Sequence, residues 1–399
     1  MKVDPIKRAL ELRKTVVKND KILVVDYSGT LQGKDTSKVI DVMPNINTGE
    51  HVFRFKFNVK EADPLARKKY KRDFFDVSEK TDKEIEDFVK KHEFDFPLWY
   101  KHTKRFKMKN ILDYNPPQII QVAGCNFHDG NATGGCWYCY VDNKSNDGKP
   151  CTGKAYLSIG DYIESAIANR ERVKEIYKEQ ADTDMDIRVL RFSGGEPMIA
   201  LDYLLELWRK IDKKGLDFVG QLDTNLSTGI VVDKFEKEGI YEKNILEKLS
   251  RFEIKVLTAL KGCDEQNVQD NVQALTTLED QEYSLRKILN AGLDIYPQAY
   301  NPNPETLKKY LTDMDKKIKN FSLKIHIGPL KAYGPTKQRL TLEAERLGIN
   351  PDKFIKKTQE KWDSNYKNSC EVINDYLMKA CGVGYKETVR PDVELKVIK

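Results

Sequence analysis

Residues 118–139 read QIIQVAGCNFHDGNATGGCWYC, and this stretch decides the fold. An apolar run, 118–123, follows the pair Pro116–Pro117, where regular structure halts before a new strand begins. The run ends in a glycine-rich loop carrying Cys125, Cys136 and Cys139. Outward from it, the same unit of short apolar strand and longer helical stretch recurs. Strands are expected at 118–123, 187–192, 218–223, 253–260, 293–299 and 323–327, and the helices between them include 159–178, 201–214, 241–249 and 281–291. Gly215 and Gly292 stand where C-terminal helix caps belong. Six strands alternating with helices predict an α/β fold of parallel βα units, either an open sheet or a partial barrel. Right-handed crossovers then place every strand C-terminal end on one rim, where loops carry chemistry.

The chain has 399 residues, 40% of them apolar, enough for a substantial core. Its 68 basic and 62 acidic residues leave a net charge of +6, a weak basic excess that gives nucleic-acid binding little support. No apolar run approaches the roughly 20 residues of a membrane span, and the charged N-terminus lacks the apolar core of a signal peptide. A cytoplasmic location is expected. Seven cysteines in a long cytoplasmic chain suit metal or redox work better than disulfides. Cys151, Cys263, Cys370 and Cys381 lack close pairing and read as buried thiols, with a second cluster as the other option.

Three thiolates on a short loop are ligands for three irons of a cubane, leaving the fourth iron without a protein ligand. That open iron suits chelation by an amino acid's amino and carboxylate groups. Downstream, the second strand ends Arg191-Phe192-Ser193-Gly194-Gly195-Glu196-Pro197, and the third ends Gln221-Leu222-Asp223-Thr224-Asn225. A glycine pair leaves no side chain between backbone and ligand, and a carboxylate pairs with an ammonium.

The cysteine loop, with an aromatic before its last cysteine, and the Gly-Gly-Glu at the next strand end resemble the radical S-adenosylmethionine superfamily. The family's usual spacing is Cys-x3-Cys-x2-Cys; this chain has Cys-x10-Cys-x2-Cys, which places Cys125 furthest from the pattern. The resemblance covers about residues 118–330. It implies a partial (βα)6 TIM-like barrel and a 4Fe–4S cluster on Cys125, Cys136 and Cys139. It also implies S-adenosylmethionine held at its methionine end by Gly194, Gly195 and Glu196. Thr224 and Asn225 match a pair found near the methionine carboxylate or ribose, and Tyr138 matches the aromatic that lies along adenine. The chemistry implied is reductive cleavage to a 5′-deoxyadenosyl radical that abstracts hydrogen from a substrate. An external one-electron donor of flavodoxin or ferredoxin type is then required. Peptide or protein, RNA or nucleoside, and small metabolite all stay open as substrates.

Flanking the barrel, a small α+β region is expected over 1–115 and a C-terminal extension with a helix or two over 331–399. The N-terminal region holds strands at 21–25 and 51–59, with Phe53, Phe55 and Phe57 on one face of the second, and a helix at 81–91. The fourth strand leads to Lys261, a candidate carboxylate partner, and the later ends offer Gln298, Tyr300 and His326. One competing reading takes Cys125, His128, Cys136 and Cys139 as a closed Cys3His zinc site in an RNA-interacting protein without radical chemistry. Two lesser ones are a phosphatase-like loop at Asp26-Tyr27-Ser28-Gly29-Thr30 and basic, aromatic-interleaved patches at 65–72 and 101–109 that suit a phosphate backbone.

Overall fold

The computed structural model describes residues 2–25, 30–31, 79–91, 98–99, 117–131, 134–181 and 186–399, with the strand backbone at 38–44 and 52–58. The phenylalanine face at 53–57, the loop 26–29 and both basic patches lie outside the described residues.

The chain opens with α1 (Pro5–Val16), capped by Asp4 and buried through Ala9, Leu12 and Val16. A tight hairpin, β1 (Val17–Lys18) and β2 (Lys21–Val25), follows. Strands β3 (Lys38–Pro44) and β4 (Val52–Asn58) pair antiparallel as a separate ribbon. Helix α2 (Asp82–Lys91) begins at a reciprocal Thr81–Glu84 cap.

Then the repeating part begins. In chain order it holds β5 (Gln118–Val122), α3 (Asn143–Asn146), β6 (Lys154–Ser158), α4 (Ile159–Ala181), β7 (Val189–Gly194), α5 (Leu201–Lys213), β8 (Val219–Thr224) and α6 (Thr228–Lys237). It continues with α7 (Ile245–Leu249), β9 (Ile254–Leu260), α8 (Glu265–Asn271), α9 (Leu278–Asn290), β10 (Asp294–Tyr300) and α10 (Pro304–Lys317). The chain ends with β11 (Ile318–Lys319), α11 (Phe321–Lys324), β12 (His326–Gly328), α12 (Gly334–Arg346), α13 (Pro351–Cys381) and β13 (Lys396–Val397).

Strands β5, β7, β8, β9, β10 and β12 lie side by side in that order, all parallel. Five of them lie where the sequence places them; the sixth, expected at 323–327, starts only at His326, because Phe321–Lys324 winds into a short helix after the left-handed Asn320. Their outward faces are apolar because helices cover them: α5 alone buries Leu201, Leu204, Leu205, Leu207, Trp208 and Ile211. At about 1.5–3 kcal/mol per fully buried large side chain, that one face offsets much of the ordering cost of its helix. The inward faces carry Arg191, Gln221, Asp223, Lys255 and Gln298 at alternate positions, with Leu257 and Ala259 of β9 beside them and Lys261 just past its end.

Beyond β5 the sheet continues antiparallel through β2, which pairs with β5 at Val24–Val122 and with β6 along its length. Residues 17–25 are thus built into the central sheet. Strand β12 pairs with β10 and does not return to β2, so the sheet is not closed among the described residues. The helix expected at 241–249 starts later, at Ile245, because Asn244 adopts a left-handed conformation (φ 56°) that interrupts it. Gly215 and Gly292 do cap helices with positive φ.

Candidate active site at the strand ends

The C-terminal ends of β5, β7, β8, β9 and β10 surround one cavity of about 770 Å3, counting its open mouth. Its wall carries Cys125, Cys136 and Cys139 together with Tyr138, Gly194, Gly195, Thr224, Asn225, Lys261 and Tyr300. Eight of the nine site residues expected from the sequence therefore face one space. The ninth, Glu196, lies behind the wall.

The cysteine loop is fixed at both ends by backbone bonds. Gly124 and Cys125 donate to the carbonyls of Ser145 and Asn146, at 2.8 and 3.0 Å. Near Cys136, Trp137 donates to Asn271 and Gln273 donates to the Gly135 carbonyl. Two of the three sulfurs receive N–H donors. Asn225 Nδ2 stands 3.7 Å from Cys125 Sγ; Val141 N and Asn146 Nδ2 stand 3.4 and 3.8 Å from Cys139 Sγ. Donors of this kind stabilise a thiolate and tune any iron it binds. Burial pushes the Cys125 and Cys136 thiols up, and the Lys261 ammonium and Arg339 guanidinium oppose the rise at Cys136. Lys261 is 5% exposed and makes no ion pair among the described residues.

The glycine pair has a packing reason independent of any ligand. A Cβ on Gly195 would lie 1.8 Å from the Gly124 carbonyl oxygen, and one on Gly194 would lie 2.2 Å from Gln121 Cγ. The Gly195 N–H donates to the Val122 carbonyl at 2.9 Å, so this amide is spent within the protein. Glu196 departs from the role expected of it. It is 1% exposed, and its two oxygens accept from Met198 N at 3.3 Å and Asn225 N at 2.7 Å. It binds the end of β7 to the end of β8 and leaves no oxygen facing a ligand's ammonium. Burial raises its pKa to about 7, against the pull of those hydrogen bonds.

Thr224 Oγ1 is also occupied, by Thr228 Oγ1 at 2.6 Å and Leu226 N at 3.1 Å. Asn225 joins Asn126, Ser227 and Cys125 in one buried network. Tyr138 packs against Tyr300 with ring centroids 5.7 Å apart, and Lys261 Nζ lies 5.9 Å from the Tyr138 centroid. The Tyr138 hydroxyl is buried on the cavity wall without a hydrogen-bond partner. Such an orphaned group, like the donors aimed at sulfur, fits a cavity built for a polar ligand. The residues present thus fit an iron–sulfur cluster with an adjacent organic cofactor. No three His, Cys, Asp or Glu side chains are gathered into a ready-made metal cage among the described residues. The thiols share a wall.

His128 explains the enlarged first gap differently from the zinc reading. Its Nδ1 accepts from Gly130 N at 2.9 Å, which puts the proton on Nε2, donating to Asn143 Oδ1 at 3.1 Å. Burial takes its pKa down to about 4, so the ring is neutral at pH 7. Both nitrogens are engaged, and the Cys3His site lacks its fourth donor. His128 is the internal strut of the ten-residue gap between Cys125 and Cys136.

Three other residues went unassigned in the sequence. Arg191 and Asp223 form a bidentate pair on the cavity floor, and both lie in the strand-end stretches already quoted. Arg339, from α12, donates to the Cys139 carbonyl at 2.7 Å and carries no sequence signal at all. Gln298 accepts from the Tyr300 hydroxyl, whereas His326 does not line this cavity. Cys263 is buried against Asn303 and Thr306, its pKa raised to about 11 by burial, away from the three loop cysteines.

No protein-family model matches the chain, and no curated protein matches it. Nineteen chains of solved structure do. The cobalamin-dependent S-adenosylmethionine radical enzyme OxsB with aqua-cobalamin bound is 10% identical, with a TM-score of 0.36, over 57% of this chain and 35% of that one. The enzyme anSMEcpe with bound AdoMet is 16% identical, TM-score 0.32, over 57% of each chain. A spore photoproduct lyase variant is 12% identical, TM-score 0.34, over 65% of this chain and 73% of that one. The chain spans about a third of the length of OxsB.

Proposed function

We propose that the chain is a radical S-adenosylmethionine enzyme whose cluster is held by Cys125, Cys136 and Cys139. One observation carries the reading: three thiols, two with N–H donors directed at sulfur, share a strand-end cavity with the Gly194–Gly195 pair and an unpartnered tyrosine hydroxyl. When bound, a 4Fe–4S cluster with one iron free of protein ligands supplies the electron that splits S-adenosylmethionine to a 5′-deoxyadenosyl radical.

The remaining work falls to the chain. Asn225 and Asn146 steady the sulfurs of Cys125 and Cys139. Gly194 and Gly195 present bare backbone along one wall, and Lys261 brings a positive charge to meet a carboxylate. Tyr138 and Tyr300 supply an aromatic side for adenine, and the Tyr138 hydroxyl a hydrogen bond. The electron comes from an external flavodoxin- or ferredoxin-type donor, and the substrate is a peptide or protein, an RNA or nucleoside, or a metabolite.

The test is anaerobic reconstitution with iron and sulfide. A brown protein that releases 5′-deoxyadenosine on reduction with S-adenosylmethionine supports the reading, and Cys136→Ala should abolish both properties. A colourless protein, or a Cys136→Ala variant that still makes 5′-deoxyadenosine, ends it.

A further inference from the structure

Arg339 is 0% exposed, and no carboxylate pairs with it among the described residues. Burying an uncompensated guanidinium costs several kcal/mol, so a compensating charge or dipole is expected beside it. Its Nη1 donates to the Cys139 carbonyl at 2.7 Å and its Nη2 to Asn143 Oδ1 at 2.7 Å, while Nε has no partner. Asn143 Oδ1 also receives the His128 Nε2 proton, so the guanidinium reaches both the last cysteine and the strut of the inserted loop. One turn earlier on the same helix, Thr336 donates to the same Cys139 carbonyl at 3.0 Å. Among the loop thiols, Cys136 lies within the electrostatic reach of this guanidinium.

We infer that Arg339 is a positioning residue that clamps the cysteine loop from the C-terminal extension and, as a buried cation without an acid partner, sets the reduction potential of the metal group on that loop. The inference rests on the cluster reading above. Each added electron makes a thiolate-bound cluster more negative, and a nearby positive charge in a low-dielectric interior favours that state. The extension thereby holds part of the control over how readily the site is reduced.

The test is a spectroelectrochemical titration of the anaerobically reconstituted full chain, with iron loss to a chelator followed in parallel. Arg339→Gln should move the midpoint potential to more negative values, and Arg339→Lys, which keeps the charge but not the fork, should stay near the unmodified protein. Thr336→Val keeps the charge and removes one bond to Cys139; its potential should be unchanged and its iron loss about fivefold faster, the equivalent of one hydrogen bond. An unshifted potential in Arg339→Gln overturns the inference. If that variant does not fold, a Thr336→Val protein that loses iron no faster than the unmodified one overturns it instead. An unmodified protein that takes up no cluster sinks the functional reading first, a result distinct from either.

Discussion

Glu196 and Gly195, neighbours in the chain, lend themselves to opposite tests. The folded protein raises the Glu196 pKa from 4.5 to about 7, so between those values the native state binds more protons than the unfolded chain. Stability from this site is greatest at acid pH and falls as pH rises through that window, by about 3 kcal/mol at 1.36 kcal/mol per unit. His128, depressed to about 4, acts with the opposite sign. The difference between the unmodified protein and Glu196→Gln isolates the carboxyl. In urea unfolding at pH 5 and pH 7.5, that difference should change by a few kcal/mol, and a constant difference would refute the raised pKa. Gly195→Ala is expected to cost about 3 kcal/mol, because its methyl meets the Gly124 carbonyl and not a flexible side chain. Its thermal midpoint should fall accordingly.

At the level of elements, the clearest readout is α9, which starts with a reciprocal cap between Thr277 and Asp280. Thr277→Ala should lower stability by about 1 kcal/mol in denaturant titration without altering iron content. Five of the six parallel strands were legible because each is an apolar run between turn residues, whereas the apolar run expected as the sixth begins as a short helix; the capping glycines at 215 and 292 marked where helices stop. Helix α1 was not, although Asp4-Pro5 is an N-cap followed by proline at N1. Its buried stripe is only Pro5, Ala9, Leu12 and Val16, separated by basic residues that hide the periodicity. The candidate site divides the same way. Residues adjacent to a strand end, such as Cys125, Gly194 and Asn225, could be placed by their spacing. Glu196 accepts from two backbone N–H groups that the sequence did not signal, since spacing shows where a carboxylate stands and not which N–H it meets. His128 looked like a ligand for the same reason.

Across the molecule, the extension does more than flank the sheet. The backbone N–H of Ile327 in β12 donates to the Tyr385 hydroxyl at 2.7 Å, and Arg390 Nε donates to the Ile325 carbonyl at 3.3 Å. Among the described residues, the last parallel strand is finished by side chains and not by another strand. Tyr385→Phe leaves that buried N–H without an acceptor and should cost about 1–3 kcal/mol, read as faster hydrogen exchange at Ile327. The opposite end of the chain also grips the cysteine loop: Arg8 donates to the carbonyls of His128 at 3.0 Å and Asp147 at 2.7 Å.

The 200 residues separating Arg339 from Cys139 also impose an order in time. During synthesis the loop and its backbone partners Ser145, Asn146 and Asn271 emerge before α12, and until that helix leaves the ribosome the loop lacks the clamp of Thr336 and Arg339 on the Cys139 carbonyl. Iron delivery to a half-made chain would meet a loop missing that last clamp. Maturation factors are therefore expected to act on the released polypeptide, and ribosome-stalled chains ending before α12 should retain iron poorly.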